Sequence, residues 1–246
     1  MVIVHRRGPR PFVTCVMATW NRPRFAEIAA AQFLGQDWPA GRRELLVLDD
    51  SAPGRAPEIS GVPGLVRVVR ATQRVTLGDK RIRALALARG DVILHWDDDD
   101  WSGPGRIDRL VRPLWLEGAE ASMFRYRHLV TLPDGRFWTL GGPWQGQPND
   151  GTLAAWKRLF VGDRALVRYT PGLFESISAR VALTTNPVRW ALVEPGSDFV
   201  YVRSAASVWQ DPAWARQPAR RPGWFPEGDA HRLQEAWEEV ASWRAA

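Results

Sequence analysis

Short apolar runs alternate with longer amphipathic segments through the first half of the chain. Runs bounded by turn residues are typical of buried strands, and they occur at residues 12–18, 44–48, 65–69 and 92–96. Apolar side chains at helical spacing predict helices over 25–33 and 78–88 and a third helix that begins near Pro104. This alternation predicts an α/β fold with a mainly parallel sheet and helices on its faces.

The second half of the chain is less regular. We expect two strands, a helix, a further strand and a last helix, at 121–131, 136–139, 174–183, 197–202 and from Asp229 onward. The run Pro133-Asp134-Gly135 is typical of a turn between the first two of these strands. The chain is therefore expected to comprise a leader, an α/β half, a smaller mixed half of the same domain, and a C-terminal tail with a helix, over 1–11, 12–115, 116–210 and 211–246.

Three of the predicted parallel strands are followed by polar residues. These polar strand ends are Thr19 to Arg22, Asp49 to Ser51, and Asp97 to Asp100. The carboxyl ends of parallel strands meet at one edge of a sheet, and ligands of open α/β sheets bind there. The sequence therefore predicts one binding site to which all three strand ends contribute.

The run from Asp97 to Asp100 carries the strongest chemical signal in the sequence. Neighbouring carboxylates raise one another's pKa and need a counter-ion. Hard divalent cations prefer carboxylate oxygens, so we predict a metal at this run. A solvated acidic turn or a helix cap is the alternative, although a cap needs only one aspartate. The four histidines show no zinc-binding spacing, and we expect His95 to be a satisfied core residue.

Composition limits the remaining functions. The chain has 246 residues, 45% of them hydrophobic, which allows a sizeable core. Its net charge is +6, but the basic residues are dispersed, so no nucleic-acid partner is expected. Weak contact with an anionic membrane surface stays open.

The single cysteine excludes an internal disulfide, and we expect a buried thiol. No apolar run approaches the roughly 20 residues of a membrane helix, and the N-terminus does not resemble a signal peptide, so we expect a cytoplasmic protein.

Arginine supplies nearly all of the positive charge, because Lys80 and Lys157 are the only lysines. The planar guanidinium group suits phosphates and carboxylates. In the helix near Pro104, the side chains of Arg106, Arg109 and Arg112 lie mostly away from the apolar stripe. We expect these three arginines to form a solvated helix face, with Arg106 near enough to the first turn of the helix to affect the site.

The polar strand ends also carry a family pattern. Residues 16–23 (VMATWNRP), the run 49–51 and the segment from Gly90 to Trp101 resemble family 2 glycosyltransferases of the GT-A fold in their order and spacing. The resemblance is good over 12–115 and looser over 120–210. It implies a Rossmann-like sheet and a metal-dependent transferase. Such an enzyme moves a sugar, with inversion, from a nucleotide-diphosphate-sugar donor to an acceptor, here an unknown glycan, small molecule or peptide.

The resemblance implies roles for the first two strand ends. Thr19 and Arg22 match the positions where the family's first strand meets the nucleotide. Asp49 and Asp50 match the positions where a carboxylate accepts a hydrogen bond from uracil or another base, a bond that the charge of the acceptor strengthens. Lys80 and Arg81 lie where the family often has a basic or polar contact near the base or the diphosphate.

The resemblance also implies a metal position. Asp97, Asp98 and Asp99 match the family's DxD-type motif, with Asp99 as the ligand of Mn²⁺ or Mg²⁺ and Asp98 either towards the ribose or behind the metal ligand. Arg203 matches a late strand that returns positive charge to the diphosphate. Ser204 follows it, where the family often has a histidine, so Arg203 would act alone.

The acceptor side departs from the family pattern. The family usually has Glu-Asp at the start of a helix as the catalytic base, whereas this chain has Glu175 followed by Ser176. Glu175 is therefore the predicted base, with Asp163 and Asp150 as alternatives, and the Gly- and Pro-rich run 141–150 is a candidate lid. Two other functions stay open, a GT-A-like nucleotide-sugar-binding module without catalysis and, less favoured, a sugar nucleotidyltransferase.

Overall fold

The computed structural model describes most of the chain. The described residues are 8–59, 62–132, 134–140, 147–162, 165–167, 169, 182–183, 185–204, 220–222 and 230–243. In chain order their helices and strands are β1 (Val13–Thr19), α1 (Pro23–Leu34), β2 (Arg43–Asp49), β3 (Val66–Arg70), α2 (Leu77–Leu87), β4 (Val92–His95), β5 (Trp101–Ser102), α3 (Arg106–Leu116), β6 (Ala121–Phe124), β7 (His128–Thr131), β8 (Arg136–Leu140), β9 (Ala154–Trp156), β10 (Trp190–Val193), β11 (Phe199–Arg203), β12 (Arg220–Pro222) and α4 (Ala230–Ser242).

The larger sheet within the described part has seven strands in the order β10-β6-β9-β4-β1-β2-β3. The neighbouring pairs are parallel except the two that involve β9, which runs antiparallel to β4 and β6. The predicted α/β fold with a mainly parallel sheet is confirmed. The register pairs Thr19 with Asp49 and Val16 with His95, so β1, β2 and β4 end at one edge.

Both faces of this sheet are covered, which explains the continuous apolar strands. On one face, Phe33 of α1 and Leu110 of α3 pack against Cys15 and Leu45. On the other face, α2 and the segment around Leu159 pack against the neighbouring side chains of the same strands. Because β1, β2 and β4 are fixed from both sides, the loops at their carboxyl ends start from well-defined positions.

A smaller sheet with the order β12-β8-β7-β11-β5 lies beside the larger one. The predicted turn joins β7 to β8 as an antiparallel hairpin, and Gly135 has the positive φ of 65° that favours glycine. The prediction of one strand over 121–131 is wrong, because this segment divides into β6 and β7 in different sheets. The amide of Arg125 still bonds to β10, at the Val193 carbonyl, whereas the Tyr126 amide bonds to Gln147. No glycine or proline marks the division.

The C-terminal helix α4 docks as predicted. Leu233 and Val240 are fully buried and share a core with Phe25 of α1 and Val200 of β11. Glu239 of α4 also accepts hydrogen bonds from Trp101 Nε1 (2.7 Å) and from the side-chain amide of Gln32 in α1 (2.9 Å). Among the described residues, no helix combines the length and the apolar character needed to cross a membrane.

Candidate functional site

The aspartates from Asp97 to Asp100, here called the acidic loop, follow β4 at the predicted edge of the sheet. Asp98 and Asp100 are each only 2% exposed, whereas Asp97 and Asp99 are half-buried. The pKa of Asp98 is raised to about 7, chiefly by burial; the charge of Arg22 acts to lower it, and the neighbouring Asp99 and Asp97 act to raise it. Burial makes the ionised form of these carboxylates unfavourable, so the loop needs positive charges nearby to keep them ionised.

Arg22 supplies one of these cations. Its Nη1 lies 2.6 Å from Asp99 Oδ2 and its Nη2 lies 3.3 Å from Asp98 Oδ1. The preceding Asn21 adopts the left-handed conformation, with φ 53°, in the turn between β1 and α1. Asn21 is held by the end of β2, because its amide donates to Ser51 Oγ (2.8 Å) and its Oδ1 accepts from the Ala52 amide (2.9 Å).

Arg81 of α2 supplies a second cation, 3.3 Å from Asp97 Oδ1, and is buried. Partial burial raises the pKa of Asp97, Arg81 lowers it, and Asp99 raises it again. Asp97 also lies against Gly151, where even one added carbon would collide with the Asp97 carboxylate. The segment around Gly151 therefore packs directly on the acidic loop.

Arg106, in the first turn of α3, is completely buried beneath the acidic loop. Its Nη2 donates to the carbonyls of His95 (2.9 Å) and Gly151 (3.3 Å), and its Nη1 donates to Ser102 Oγ (2.6 Å). The expectation that Arg106 belongs to a solvated helix face is wrong. Side chains of a first helical turn point back towards the N-terminus, and here that direction leads under the loop.

Two aromatic rings pack against this buried guanidinium. It lies 4.4 Å from the ring centre of Trp96 and 4.9 Å from that of Phe199, in cation–π contact. Burial lowers the pKa of Arg106, and the charges of Asp100 and Asp97 act in the opposite direction. Arg106 is therefore a fixed positive charge that joins the end of β4, the segment around Gly151 and β11.

The end of β2 is joined to β1 by a buried lysine. Asp50 accepts from Lys80 Nζ (2.5 Å), Arg74 Nη1 (3.0 Å) and the Val75 amide (2.8 Å), and Lys80 also donates to the Thr19 carbonyl (2.7 Å). Burial acts to raise the pKa of Asp50, but the bonds from Lys80 and Val75 and the charges of Lys80 and Arg74 hold it below its ordinary value. Lys80 thus aligns two of the predicted strand ends.

An exposed aromatic surface lies beside these groups. Trp20 is 42% exposed, and the guanidinium of Arg74 lies 4.0 Å from its ring centre. Asp49 accepts from the Ser51 amide (2.9 Å) and faces Arg70 at 3.6 Å. The sequence prediction did not include Trp20 or Arg74, although a large aromatic side chain inside a polar strand end was a usable signal.

The strand β11 reaches the acidic loop from the other side. Its Val202 amide donates to Asp100 Oδ1 (3.0 Å), and burial raises the pKa of Asp100 well above its ordinary value. The next residue, Arg203, donates to the Tyr201 hydroxyl (3.1 Å). Arg203 therefore follows directly on the contact between β11 and the acidic loop.

Of the residues predicted for the acceptor side, the structure describes only some. Glu175, Ser176, Asp163 and residues 141–146 of the candidate lid lie outside the described residues. Asp150 precedes Gly151, and its carbonyl accepts from His95 Nδ1 at 3.0 Å. Because Nδ1 donates, Nε2 of His95 accepts a hydrogen bond from the Tyr169 hydroxyl at 2.6 Å. Both ring nitrogens therefore have partners, and His95 is the satisfied core residue that was predicted.

The carboxylates of Asp98 and Asp99 are the candidate ligands of a divalent cation in the acidic loop. Asp98 Oδ2 is buried and has no hydrogen-bond partner among the described residues, and the Asp99 side chain is 18% exposed. The described residues contain no cluster of three metal-ligating side chains. A cation here would therefore need further oxygens from a bound substrate, and Mg²⁺ is commonly held in this way, by one or two carboxylates plus substrate phosphates.

Comparison with protein families gives one match to this arrangement. The family described as Glycosyl transferase family 2 matches residues 14–152, a stretch that begins in β1 and ends just after Gly151. It includes every polar strand end and the acidic loop. A search of curated protein sequences finds no significant match.

Comparison with solved structures shows the GT-A fold. A mannosyltransferase, PcManGT from Pyrobaculum calidifontis in complex with GDP-Man and Mn²⁺, is 18% identical with a TM-score of 0.55, over 96% of this chain and 73% of that one. Glucosyl-3-phosphoglycerate synthase from Mycobacterium tuberculosis is 16% identical with a TM-score of 0.55, over 94% and 80%. TarS from S. aureus is 12% identical with a TM-score of 0.57, over 78% of this chain and 36% of that one. The predicted GT-A fold is confirmed.

Proposed function

This chain belongs to glycosyltransferase family 2, as its motifs predict, and we propose that it is a metal-dependent enzyme that transfers a sugar from a nucleotide-diphosphate-sugar donor. The observation that carries the proposal is the convergence of Thr19, Asp50, Asp98 and Asp99 at one edge of the parallel sheet. The structural likeness to a mannosyltransferase with bound GDP-Man and Mn²⁺ supports the same class of donor and cation.

Asp99 is the proposed ligand of Mn²⁺ or Mg²⁺, because its carboxylate is the more exposed one of the pair with Asp98. Such a cation, when bound, acts as a Lewis acid that stabilises the negative charge on the departing diphosphate. Asp98 would contact the ribose, and Arg203 would add positive charge beside the phosphates. Fixed charges of this kind favour the transition state because they need no reorganisation when the bond breaks.

The nucleoside is proposed to bind over the ends of β1 and β2. The exposed ring of Trp20 offers a stacking surface, and bases stack on aromatic side chains without regard to sequence. A carboxylate oxygen of Asp49 or Asp50 would accept an imide or amide N–H from the base. Thr19 and Lys80, which are joined by a hydrogen bond, fix the spacing of these groups.

Glu175 is the proposed general base, with Asp163 and Asp150 as the alternatives, and the proposed reaction is a single displacement with inversion. A base must come within hydrogen-bond reach of the acceptor hydroxyl. Ser176 and Ser204 stand where the family often has an acid and a histidine, and this motivates a second candidate function. In that case the chain binds a nucleotide sugar and does not transfer it.

The test begins with thermal shifts measured for a panel of nucleotide sugars, each with and without Mn²⁺. A ligand that binds only the folded state raises the melting temperature by mass action. The selected donor is then used in a transfer assay across glycan, small-molecule and peptide acceptors. Asp99→Asn should lower transfer roughly a hundredfold or more, since removal of one transition-state contact has effects of that size.

The matched control is Asp108→Asn, because Asp108 pairs only with the surface Arg112 on α3 in the described structure. It should leave transfer unchanged. Equal transfer by Asp99→Asn and wild type would refute the metal assignment. Glu175→Gln in the same assay should keep the donor shift and lose turnover, whereas donor binding without turnover in the wild type favours the second candidate.

A further inference from the structure

Arg22, which directly precedes α1, forms ion pairs with Asp98 and Asp99, the two carboxylates that the proposed function assigns to the donor site. Arg22 Nη1 lies 2.6 Å from Asp99 Oδ2, and its Nη2 lies 3.3 Å from Asp98 Oδ1. Among the described residues, Arg22 is the only cation that forms an ion pair with either carboxylate. The pair is partly protected from solvent, because the Arg22 side chain is 20% exposed and that of Asp98 is 2% exposed.

This contact has a direct consequence for cation binding. A divalent cation on Asp99 and a guanidinium on the same carboxylate repel each other at contact distance, and partial burial keeps that repulsion from being screened. The cation therefore binds fully only when Arg22 withdraws. Withdrawal without a new partner leaves a half-buried guanidinium unpaired, which is itself unfavourable.

A diphosphate offers the required new partner. Guanidinium groups bind phosphate oxygens through two parallel hydrogen bonds, and a diphosphate bound at the acidic loop lies beside Arg22. Arg22 is also free of capping duties, since no side chain caps α1 and the residue after Arg22 is Pro23 at the first helical turn. Its side chain can therefore change partners without breaking helix contacts.

We propose that Arg22 couples cation binding to donor binding: it neutralises Asp98 and Asp99 in the free protein and transfers to the donor's diphosphate when the cation takes Asp99. This inference rests on the proposed function for the identity of the ligands. It makes Arg22 a positioning residue that keeps the cation site weak until a nucleoside diphosphate is present. Coupling of this kind is reciprocal, so the cation strengthens nucleotide binding by the same factor.

The experiment measures Mn²⁺ binding alone, by the loss of the free-Mn²⁺ electron paramagnetic resonance signal, in wild type and in Arg22→Gln. The variant should bind Mn²⁺ about tenfold more tightly in the absence of nucleotide, a factor within the usual range of coupling between sites. A residue that only contacts phosphate, or only supports the fold, would leave this affinity unchanged or lower it. The titrations are then repeated with UDP and with GDP, and the increase in Mn²⁺ affinity should be smaller in the variant.

Two further variants make the result specific. Arg112→Gln removes one positive charge from the exposed face of α3 and should change Mn²⁺ affinity less than twofold, roughly the effect of a screened surface charge. Arg22→Lys keeps the charge and should stay close to wild type, and it remains informative if Arg22→Gln does not fold. In that case Arg22→Lys should still show Mn²⁺ binding that UDP or GDP strengthens, and equal Mn²⁺ affinity with and without nucleotide would overturn the proposal.

The outcomes separate this inference from the proposed function. Equal Mn²⁺ affinity in wild type and folded Arg22→Gln overturns the role of Arg22 and leaves the transferase proposal intact. Failure of both proteins to bind Mn²⁺ overturns the role of Arg22 and metal dependence together. Tighter binding by Arg22→Gln supports the role of Arg22 even if the chain transfers no sugar.

Discussion

At the scale of single residues, arginines supply the positive charge that the acidic loop needs. The sequence indicated that these carboxylates require a counter-ion, and it suggested a metal. It placed Arg22 at the same site but could not indicate that Arg22 pairs directly with Asp98 and Asp99, because Arg22 and Asp99 are 77 residues apart and only the fold fixes this contact. Asp98 Oδ2 is buried and lacks a hydrogen-bond partner among the described residues, so these arginines do not satisfy every oxygen of the acidic loop.

Gly151 gives a prediction at this scale, because it has no side chain where Asp97 packs. Gly151→Ala should force the Asp97 carboxylate away from Arg81 and lower the free energy of unfolding by about 1–3 kcal/mol, as overpacking usually does. Urea unfolding followed by tryptophan fluorescence measures this. Gly41→Ala is the control, since nothing lies within 4 Å of the added carbon there, and it should change stability by less than about 0.5 kcal/mol. Equal effects of the two changes would contradict the close packing.

At the scale of elements, the sequence predicted the helices, strands and turn whose positions depend on hydrophobic periodicity and on turn residues. The strands β1 to β4, the first three helices and the β7–β8 turn follow from apolar runs and from glycine. The division of 121–131 was missed, since the apolar pattern continues across it and the change of sheet is a tertiary event. Arg106 was predicted to be exposed because helical spacing shows only which face of α3 a side chain lies on. It does not show which other segments of the chain cover the first turn of that helix.

The strand β4 ends in His95, and its burial predicts a pH effect. Burial lowers the pKa of His95 well below its ordinary value, so the folded protein keeps this ring neutral. Below about pH 6.5 the unfolded chain binds a proton there that the folded chain does not. Stability due to His95 is therefore present above that pH and lost as the pH falls, at up to about 1.4 kcal/mol per pH unit.

This effect is measured by urea unfolding at pH 7.5 and 5.5, values on either side of about 6.5. His95→Gln should lose less stability between the two values than the wild type does. The buried carboxylates with raised pKa act in the opposite sense, but they are common to both proteins. His231→Gln is the control for the loss of an exposed histidine on α4, and His95→Gln should differ from the wild type by more than this control does. Identical pH dependence in all three proteins would mean that His95 accepts a proton in the folded state.

At the scale of the whole molecule, the C-terminal helix packs on elements from both sides of the proposed donor site. The helix α4 packs on α1, which begins just after Arg22, and on β11, which ends at Arg203. A sequence pattern could show that α4 is amphipathic, but it could not show which elements the helix covers. Since α4 contacts both α1 and β11, we expect it to unfold together with the site and not as a separate tail.

Leu233 tests this cooperativity, because it is fully buried in the core that α4 shares with α1 and β11. Leu233→Ala should lower the free energy of unfolding by about 2–5 kcal/mol and keep a single transition in which circular dichroism and tryptophan fluorescence coincide. The control is Glu235→Ala on the exposed face of α4, which should stay within about 0.5 kcal/mol of wild type. A separate early transition for α4 would show that the helix is not part of the folding unit that holds Arg22 and Arg203. If α4 unfolds separately, its loss should leave donor binding unchanged. If there is a single transition, the site is stable only while α4, which lies far along the chain, remains folded.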